Sequence, residues 1–418
     1  MASVSGPSSS KVTETPPQEP VKSPQDDTTS FPLAAQIPLR GFQLPAFPPE
    51  GTHLRELTLT ADIKLDEYQS LLKSSSLESK DGEDGPAMPS ILLPQSITHL
   101  TLELFSLGFP GASKFLSRLA KALPNLRSLT LFSSLIDGLD SESRQDAEIF
   151  FENLLLLREL HVIDSFARPG FFKDIGRIFE SRTEEEGHGL KVVEVSYTYR
   201  GHEDGDFLAR IHGEELAGLI VKGLVGASFN LAPAMPEELG EGIENPEGAE
   251  AKSKVAEGVL PFATDGRAAV GVRKRFENMS AKGELRSLRV LNLAMWTLRA
   301  HEVGEMLYAC AGGGNAELVD LTVSVLLEDQ WWQELLDSCG QKGVAAALEG
   351  LEIVGVPSTA KEEGEGGKQN NSLSQRQEDI EKLGAACPQL VRLGMSILKA
   401  NSAGEVIWEK ADGAWKRQ

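Results

Sequence analysis

The stretch Leu126-Arg127-Ser128-Leu129-Thr130-Leu131 decides the fold, because its pattern returns along the whole chain. The pattern is a leucine, two variable residues, a second leucine, one variable residue and a further apolar residue. It is repeated most closely by Leu288-Arg289-Val290-Leu291-Asn292-Leu293. Successive copies start 29 to 33 residues apart in the clearest parts of the chain. This spacing predicts a solenoid. The seven further copies begin at Leu54, Ile97, Leu157, Leu190, Leu318, Leu348 and Leu390.

Each copy is followed by a stretch with the period of an amphipathic helix. In one unit, Phe115, Leu116, Leu119 and Leu123 recur at the spacing of a single helical stripe, and Pro124 ends that helix just before the next copy. A period near 30 residues leaves room for one strand and one full helix per unit. We therefore predict an α/β fold with a curved parallel sheet on a concave face and helices on the convex face.

Two helix-to-strand junctions indicate a family. Leu123-Pro124-Asn125-Leu126-Arg127-Ser128-Leu129 and Ala386-Cys387-Pro388-Gln389-Leu390-Val391-Arg392-Leu393 resemble those of leucine-rich-repeat proteins of the ribonuclease-inhibitor-like and F-box-associated class. The resemblance covers roughly residues 50–400 and implies a leucine-rich-repeat (RNI-like) solenoid. That family has Asn or Cys after each strand, so we expect less regular units here. The replacements are Phe105, Ser134, Ser165, Thr198 and Trp296.

The composition divides the chain into three parts. Residues 1–50 are rich in Ser, Pro, Thr and Gln and predict a disordered N-terminal tail, with a more apolar lead-in from Phe31 to Phe47. Residues 51–400 form the predicted solenoid, with loop insertions near 74–90, 233–270 and 357–376. Residues 401–418 predict a capping β-hairpin, because Asp412-Gly413 is a preferred tight-turn pair.

Three local expectations concern the less regular parts. Leu216–Val221 is a candidate tenth copy of the pattern within the 191–287 gap. Arg273-Lys274-Arg275 is expected in a solvated turn. The adjacent Trp331 and Trp332 are expected to point different ways on their helix, with one ring at the rim.

Charge and cysteine content exclude several classes of protein. The formal net charge of −21 argues against a general nucleic-acid binder or a partner of anionic membranes. Three cysteines cannot form a disulfide framework, so we expect a reducing compartment, cytoplasmic or nuclear. Neither a signal peptide nor an apolar run long enough to span a bilayer is recognisable, and no membrane association is expected.

The variable residues of the strands are the candidate binding residues, because side chains alternate between the two faces of a strand. We expect them to form a polar, mildly acidic groove with an apolar spot, suited to a protein or peptide partner. The third outward position also includes Ala294 and Ser324. The predicted partner-binding residues are His99, Thr101, Thr130, Phe132, Glu159, His161, Ile163 and Glu194.

Motifs for catalysis, cofactor binding or metal binding are not recognisable. The acidic and histidine residues between His202 and Glu215 match no standard zinc or calcium spacing, and Gly312-Gly313-Gly314 lacks the lysine of a phosphate-binding loop. We therefore predict a non-catalytic protein-protein interaction module without cofactor or metal. One alternative is a substrate receptor that binds a ubiquitin-ligase adaptor, although residues 1–50 have no F-box pattern. The other is an enzyme using the His202–Glu215 loop.

Overall fold

The structure, a computed structural model, has one open sheet in which the strands follow chain order. It describes residues 33–39, 42, 44, 47, 53–62, 64, 66, 69, 91–182, 189–199, 207–233, 261–311, 316–341, 343–357, 375–397 and 406–418. Strands β1 to β11 pair in parallel, and the last two strands join antiparallel. The strands are β1 Ala34–Leu39, β2 Glu56–Ala61, β3 His99–Glu103, β4 Ser128–Phe132, β5 Glu159–Ile163, β6 Val192–Tyr199, β7 Gly226–Pro233, β8 Val290–Leu298, β9 Asp320–Leu327, β10 Gly350–Pro357, β11 Arg392–Ile397, β12 Val406–Ala411 and β13 Ala414–Arg417.

Helices connect most neighbouring strands and cover one face of the sheet. Parallel neighbours need such a crossover, because the chain must return to the same end of the sheet. Short 3-10 turns occur at Gly111–Ser113 and Ala217–Leu219. The α-helices are α1 Phe115–Ala122, α2 Ser141–Asn153, α3 Phe171–Glu180, α4 Phe207–Arg210, α5 Gly213–Leu216, α6 Arg267–Ser280, α7 Ala300–Ala311, α8 Trp331–Cys339 and α9 Gln377–Ala386.

The leucines of the repeated pattern form the core between sheet and helices. Leu129 and Leu131 of β4 are buried, and Leu126 is buried just before the strand. Register is continuous, with Leu100, Leu129 and Leu160 side by side on β3, β4 and β5. A shift of one residue would expose every one of these leucines, so their burial holds the register.

Serines supply hydrogen bonds at the turns that follow the strands. The Ser134 hydroxyl accepts from Phe105 N at 3.3 Å and donates to Phe132 O at 3.0 Å. One unit further, the Ser165 hydroxyl accepts from Ser134 N at 3.0 Å. Both serines are buried, so these bonds satisfy backbone groups that water does not reach. Serine side chains therefore satisfy the backbone at these two turns.

The irregular middle of the chain differs from the prediction. Leu216–Val221 is not a strand: Leu216 ends α5, and Leu219 lies in a 3-10 turn. The strand of this unit is β7, which pairs with β6 and β8 without the leucine pattern. The pattern misled because Leu216 and Leu219 are buried from helical turns instead of from a strand.

The insertion predicted near 233–270 ends earlier in the chain than expected. Phe262 already bridges to Trp296 of β8, and α6 begins at Arg267. Arg273-Lys274-Arg275 therefore lies on a helix, not in a turn. The Arg273 guanidinium pairs with the buried Glu302, and Arg275 pairs with Glu180.

Both tryptophans of α8 are buried, which corrects the expectation of one exposed ring. Trp331 is 7% exposed and Trp332 is 9% exposed, with ring centroids 5.4 Å apart in an edge-to-face arrangement. They begin the helix directly after Gln330, whose φ of 67° is left-handed. Because α8 packs on both the sheet and a neighbouring helix, the buried part of its circumference is wide enough to include two adjacent side chains.

The two ends of the sheet are formed by the terminal parts of the chain. Within the predicted lead-in, Ala34–Leu39 forms β1 and pairs with β2 at the end of the sheet, so the disorder expected for residues 1–50 does not apply there. At the other end, β12 and β13 form a hairpin with Glu409 opposite Lys416. Its tryptophans, Trp408 and Trp415, are buried. Outside the described residues lie tail residues 1–32, the insertion near 74–90 and most of that near 357–376.

Candidate partner-binding face

The sheet has a second face, called here the open face, formed by the strand residues that alternate with the core. On β2 the core residues Leu57 and Leu59 are buried, whereas Glu56 is exposed and Thr58 and Thr60 are half-buried. The parallel register places one such residue from each strand in a common row. The middle row is Thr58, Thr101, Thr130, His161, Glu194, Ser228, Asn292, Thr322, Glu352 and Gly394.

The structure brings all eight predicted binding residues together on strands β3 to β6. Thr101, Thr130, His161 and Glu194 are consecutive in the middle row, and His99 and Glu159 are in the row before it. His99 is exposed and the other seven are half-buried. Phe132 lies directly beside Ile163, which makes the apolar spot. These residues are therefore neighbours across four strands.

Two members of the predicted third row are not on the open face. Ala294 is 7% exposed and Ser324 is fully buried, with the Ser324 hydroxyl donating to Ala294 O at 2.8 Å. The register between β8 and β9 shifts after Leu293, so that Thr297 rather than Ala294 pairs with Ser324. This irregularity in β8 turns the third position inward, a usual effect of a bulge.

The sequence prediction also missed open-face residues. Ser228 and Asn230 belong to β7, which lacks the leucine pattern. Gln36 belongs to β1 and donates to Thr60 Oγ1 at 3.2 Å. Apolar and polar residues alternate within Gly226–Pro233, and this was the signal for a strand in the sequence. Only the pairing of the strands in the structure identified β7.

His161 and Glu194 form the central polar contact of this face. His161 Nδ1 lies 2.8 Å from Glu194 Oε2, and His161 Nε2 lies 3.9 Å from Glu159 Oε2. The hydrogen bond with Glu194, more than the nearby charges, raises the pKa of His161. The same bond lowers the pKa of Glu194. Both carboxylates favour the charged form of His161 over the neutral form.

Carboxylates predominate over cations at the outward positions of the parallel strands β1 to β11. A second polar contact joins Thr60 Oγ1, which donates at 2.9 Å, to Glu103 Oε2. The basic side chains at these positions are His99, His161 and Arg392. The acidic side chains are Glu56, Glu103, Glu159, Glu194, Asp320 and Glu352.

A second apolar spot lies on the other side of the His161–Glu194 pair. Val192 is half-buried and Val290 is 45% exposed, and Gly226 lies between them in register. Gly226 contributes no side chain, so no side chain of this row stands between the two valines. The charged pair therefore lies between this spot and the Phe132–Ile163 spot.

The loop between His202 and Glu215 contributes structure in its described part. His202–Asp206 lies outside the described residues. Both Glu215 carboxylate oxygens accept from Gly170 N, at 2.6 and 2.8 Å, and thereby satisfy the N–H of the residue that precedes α3. Across the described ranges, no group of three or more His, Cys, Asp or Glu side chains is placed to hold a metal ion.

No protein-family model matches the chain, and no curated protein matches it either. Among the helices that the structure describes, none is both long and apolar enough to cross a bilayer.

Proposed function

We propose that the chain is a leucine-rich-repeat solenoid that acts as a non-catalytic protein-binding module through the open face of its sheet. The repeated pattern and the strict chain order of the strands support the solenoid. One observation supports the binding role above the others. The continuous register assembles eight polar and apolar residues from four strands into one accessible patch.

The partner in this proposal is a basic segment with apolar side chains. Glu159 and Glu194 attract Lys or Arg side chains, and the overall charge of −21 speeds the encounter with a basic partner. The Phe132–Ile163 and Val192–Val290 spots, on either side of the charged pair, would receive apolar side chains. Half-buried side chains on strands are also rigid, which lowers the entropy cost of binding.

The test is affinity purification with mass spectrometry on two charge-matched double variants. Glu159→Lys/Glu194→Lys reverses two charges on the open face. Glu305→Lys/Glu381→Lys reverses two exposed charges on α7 and α9 instead. We expect a specific partner to be lost with the first variant, which changes the open face, and retained with the second. The second variant is the control, because both variants change the net charge equally.

Retention of every partner by the open-face variant would contradict the proposal. Equal loss with both variants would show that net charge alone, and not this patch, attracts the partner. Recovery of a cullin adaptor that does not depend on the open face would support the ubiquitin-ligase alternative.

A further inference from the structure

A cavity of about 540 Å³ lies at the carboxyl ends of β3, β4 and β5. It is lined by residues that follow these strands and by Ala209, Arg210 and His212. Its volume is within the range of small-molecule sites. Leu135 and Phe166, which are paired by a β-bridge, supply apolar surface.

Arg168 is held rigidly at the wall of this cavity. Its Nε donates to Asp137 Oδ2 at 3.0 Å, and its Nη2 donates to Asp137 O at 3.0 Å and to Asp140 O at 2.7 Å. Asp137 is fully buried, so its carboxylate cannot move into solvent. Arg168 Nη1 makes no hydrogen bond to any residue that the structure describes. A guanidinium ordered in advance loses little entropy when it binds a ligand.

Two more basic side chains, those of Arg210 and His212, line the cavity. The Arg210 guanidinium carbon lies 5.3 Å from the centroid of the Phe166 ring, in the range of a cation–π contact. The half-buried His212 ring makes no hydrogen bond within the described part of the chain. One described lining residue, Asp164, is acidic, and its Oδ1 already accepts from Thr198 N at 2.5 Å.

The residue directly after each of β3, β4 and β5 has a strained backbone, and two of these residues, Ser133 and Asp164, line the cavity. Leu104, Ser133 and Asp164 each follow a strand, and each has a left-handed φ, at 64°, 48° and 47°. Left-handed backbone is costly for residues with a Cβ and is concentrated at functional sites. In each case the backbone N–H bonds to the next strand, as in Ser133 N to Ile163 O at 2.9 Å.

We propose that this cavity binds a carboxylate attached to an apolar group. The carboxylate would accept from Arg168, Arg210 and His212, and the apolar group would contact Leu135 and the Phe166 ring. An organic acid and the C-terminal residue of a polypeptide both present this chemistry. None of the eight patch residues on β3 to β6 lines the cavity, and this proposal does not depend on the proposed partner binding.

The probe is 3-phenylpropionate, and its matched control is 3-phenylpropanamide, which has the same shape without the charge. We expect ligand-observed NMR on the full chain to show binding of the acid with a Kd on the order of 1 mM, typical of a small fragment. The amide is expected to bind about tenfold more weakly, because it loses the charge-assisted hydrogen bonds.

Three variants test the location. Ala209→Trp, at an exposed position of the wall, fills the cavity and should abolish binding. Arg210→Gln should weaken binding of the acid about tenfold. Arg177→Gln, which removes an exposed arginine of α3 outside the cavity lining, should leave binding unchanged. Circular dichroism of each variant checks that the fold is retained.

The proposal fails if the acid does not bind, if the amide binds equally well, or if folded Ala209→Trp binds as the wild type does. N-acetyl-alanyl-phenylalanine distinguishes the sources. Tighter binding of this peptide than of 3-phenylpropionate supports a polypeptide C-terminus, and weaker binding supports an organic acid. Each result, with the variants behaving as stated, supports the carboxylate site.

Discussion

At the scale of single residues, the contact between His161 and Glu194 makes the open face sensitive to pH. The hydrogen bond raises the pKa of His161, so its stabilising contribution is complete below the unfolded histidine pKa of about 6.5. That contribution is lost as pH rises through the higher folded pKa. Glu194 contributes above the unfolded glutamate pKa of about 4.3, and its contribution is lost as pH falls through its lower folded pKa.

The pair is therefore most stabilising between about pH 4.3 and 6.5. Substitution Glu194→Gln should lower the pKa of His161, because the amide removes the negative charge and keeps the shape. The measurement is an NMR titration of the His161 ring protons, assigned with a His161→Gln variant. An unchanged pKa in Glu194→Gln would show that the contact is not formed in solution. Glu352→Gln, on a distant strand, is the control.

At the scale of elements, α3 approaches the 3-10 turn Ala217–Leu219 through two glycines. A Cβ on Gly176 would lie 2.4 Å from Gly218 O, a backbone atom that cannot rotate away. A Cβ on Gly218 would meet nothing closer than Lys173 Cα, at 3.8 Å. The close approach therefore requires glycine on α3 and tolerates a methyl group on the turn.

The two alanine variants should differ in their effect on the free energy of unfolding. Gly176→Ala should reduce the free energy of unfolding by about 1–3 kcal/mol, because the clash outweighs the better helix propensity of alanine. Gly218→Ala should be neutral or stabilising by up to about 1 kcal/mol. Urea unfolding followed by tryptophan fluorescence measures both. A stabilised Gly176→Ala would contradict the packing described for α3.

At the scale of the whole molecule, each strand pairs with its neighbours in the chain, and the C-terminal hairpin closes one end. Trp415 packs on α9 so closely that a Cβ on Gly384 would lie 2.5 Å from Trp415 Nε1. Trp408 pairs with Leu393 of β11. The hairpin thus covers apolar surface that the last parallel unit would otherwise expose to water.

Deletion of residues 398–418 should destabilise the last unit and spare the first ones. Loss of two buried tryptophans should lower the local opening free energy of β11 and α9 by about 3 kcal/mol or more. Hydrogen exchange with mass spectrometry should show faster exchange there and unchanged exchange in β3 to β5. Equal acceleration everywhere would mean that the sheet opens as one unit. Lys416→Gln, at an exposed position of the hairpin, is the control.

Much of the parallel sheet could be predicted, because leucines at fixed positions of each repeat are all buried on the same face of the sheet. The same regularity is enough to predict that His161 lies beside Glu194 and Phe132 beside Ile163. Prediction failed where burial did not follow the pattern. Leu216 and Leu219 are buried from helical turns instead of from a strand, and β7 has no leucine pattern to reveal it.

The sequence by itself determined the order of the strands, the core leucines and the patch on β3 to β6, because these follow from a local pattern and its period. Tertiary structure alone decided the inward turn of Ser324, the burial of both Trp331 and Trp332, and the cavity beside Arg168. Each of these depends on residues about 30 or more positions apart. The contacts between such residues arise from packing of neighbouring units, which no local pattern contains.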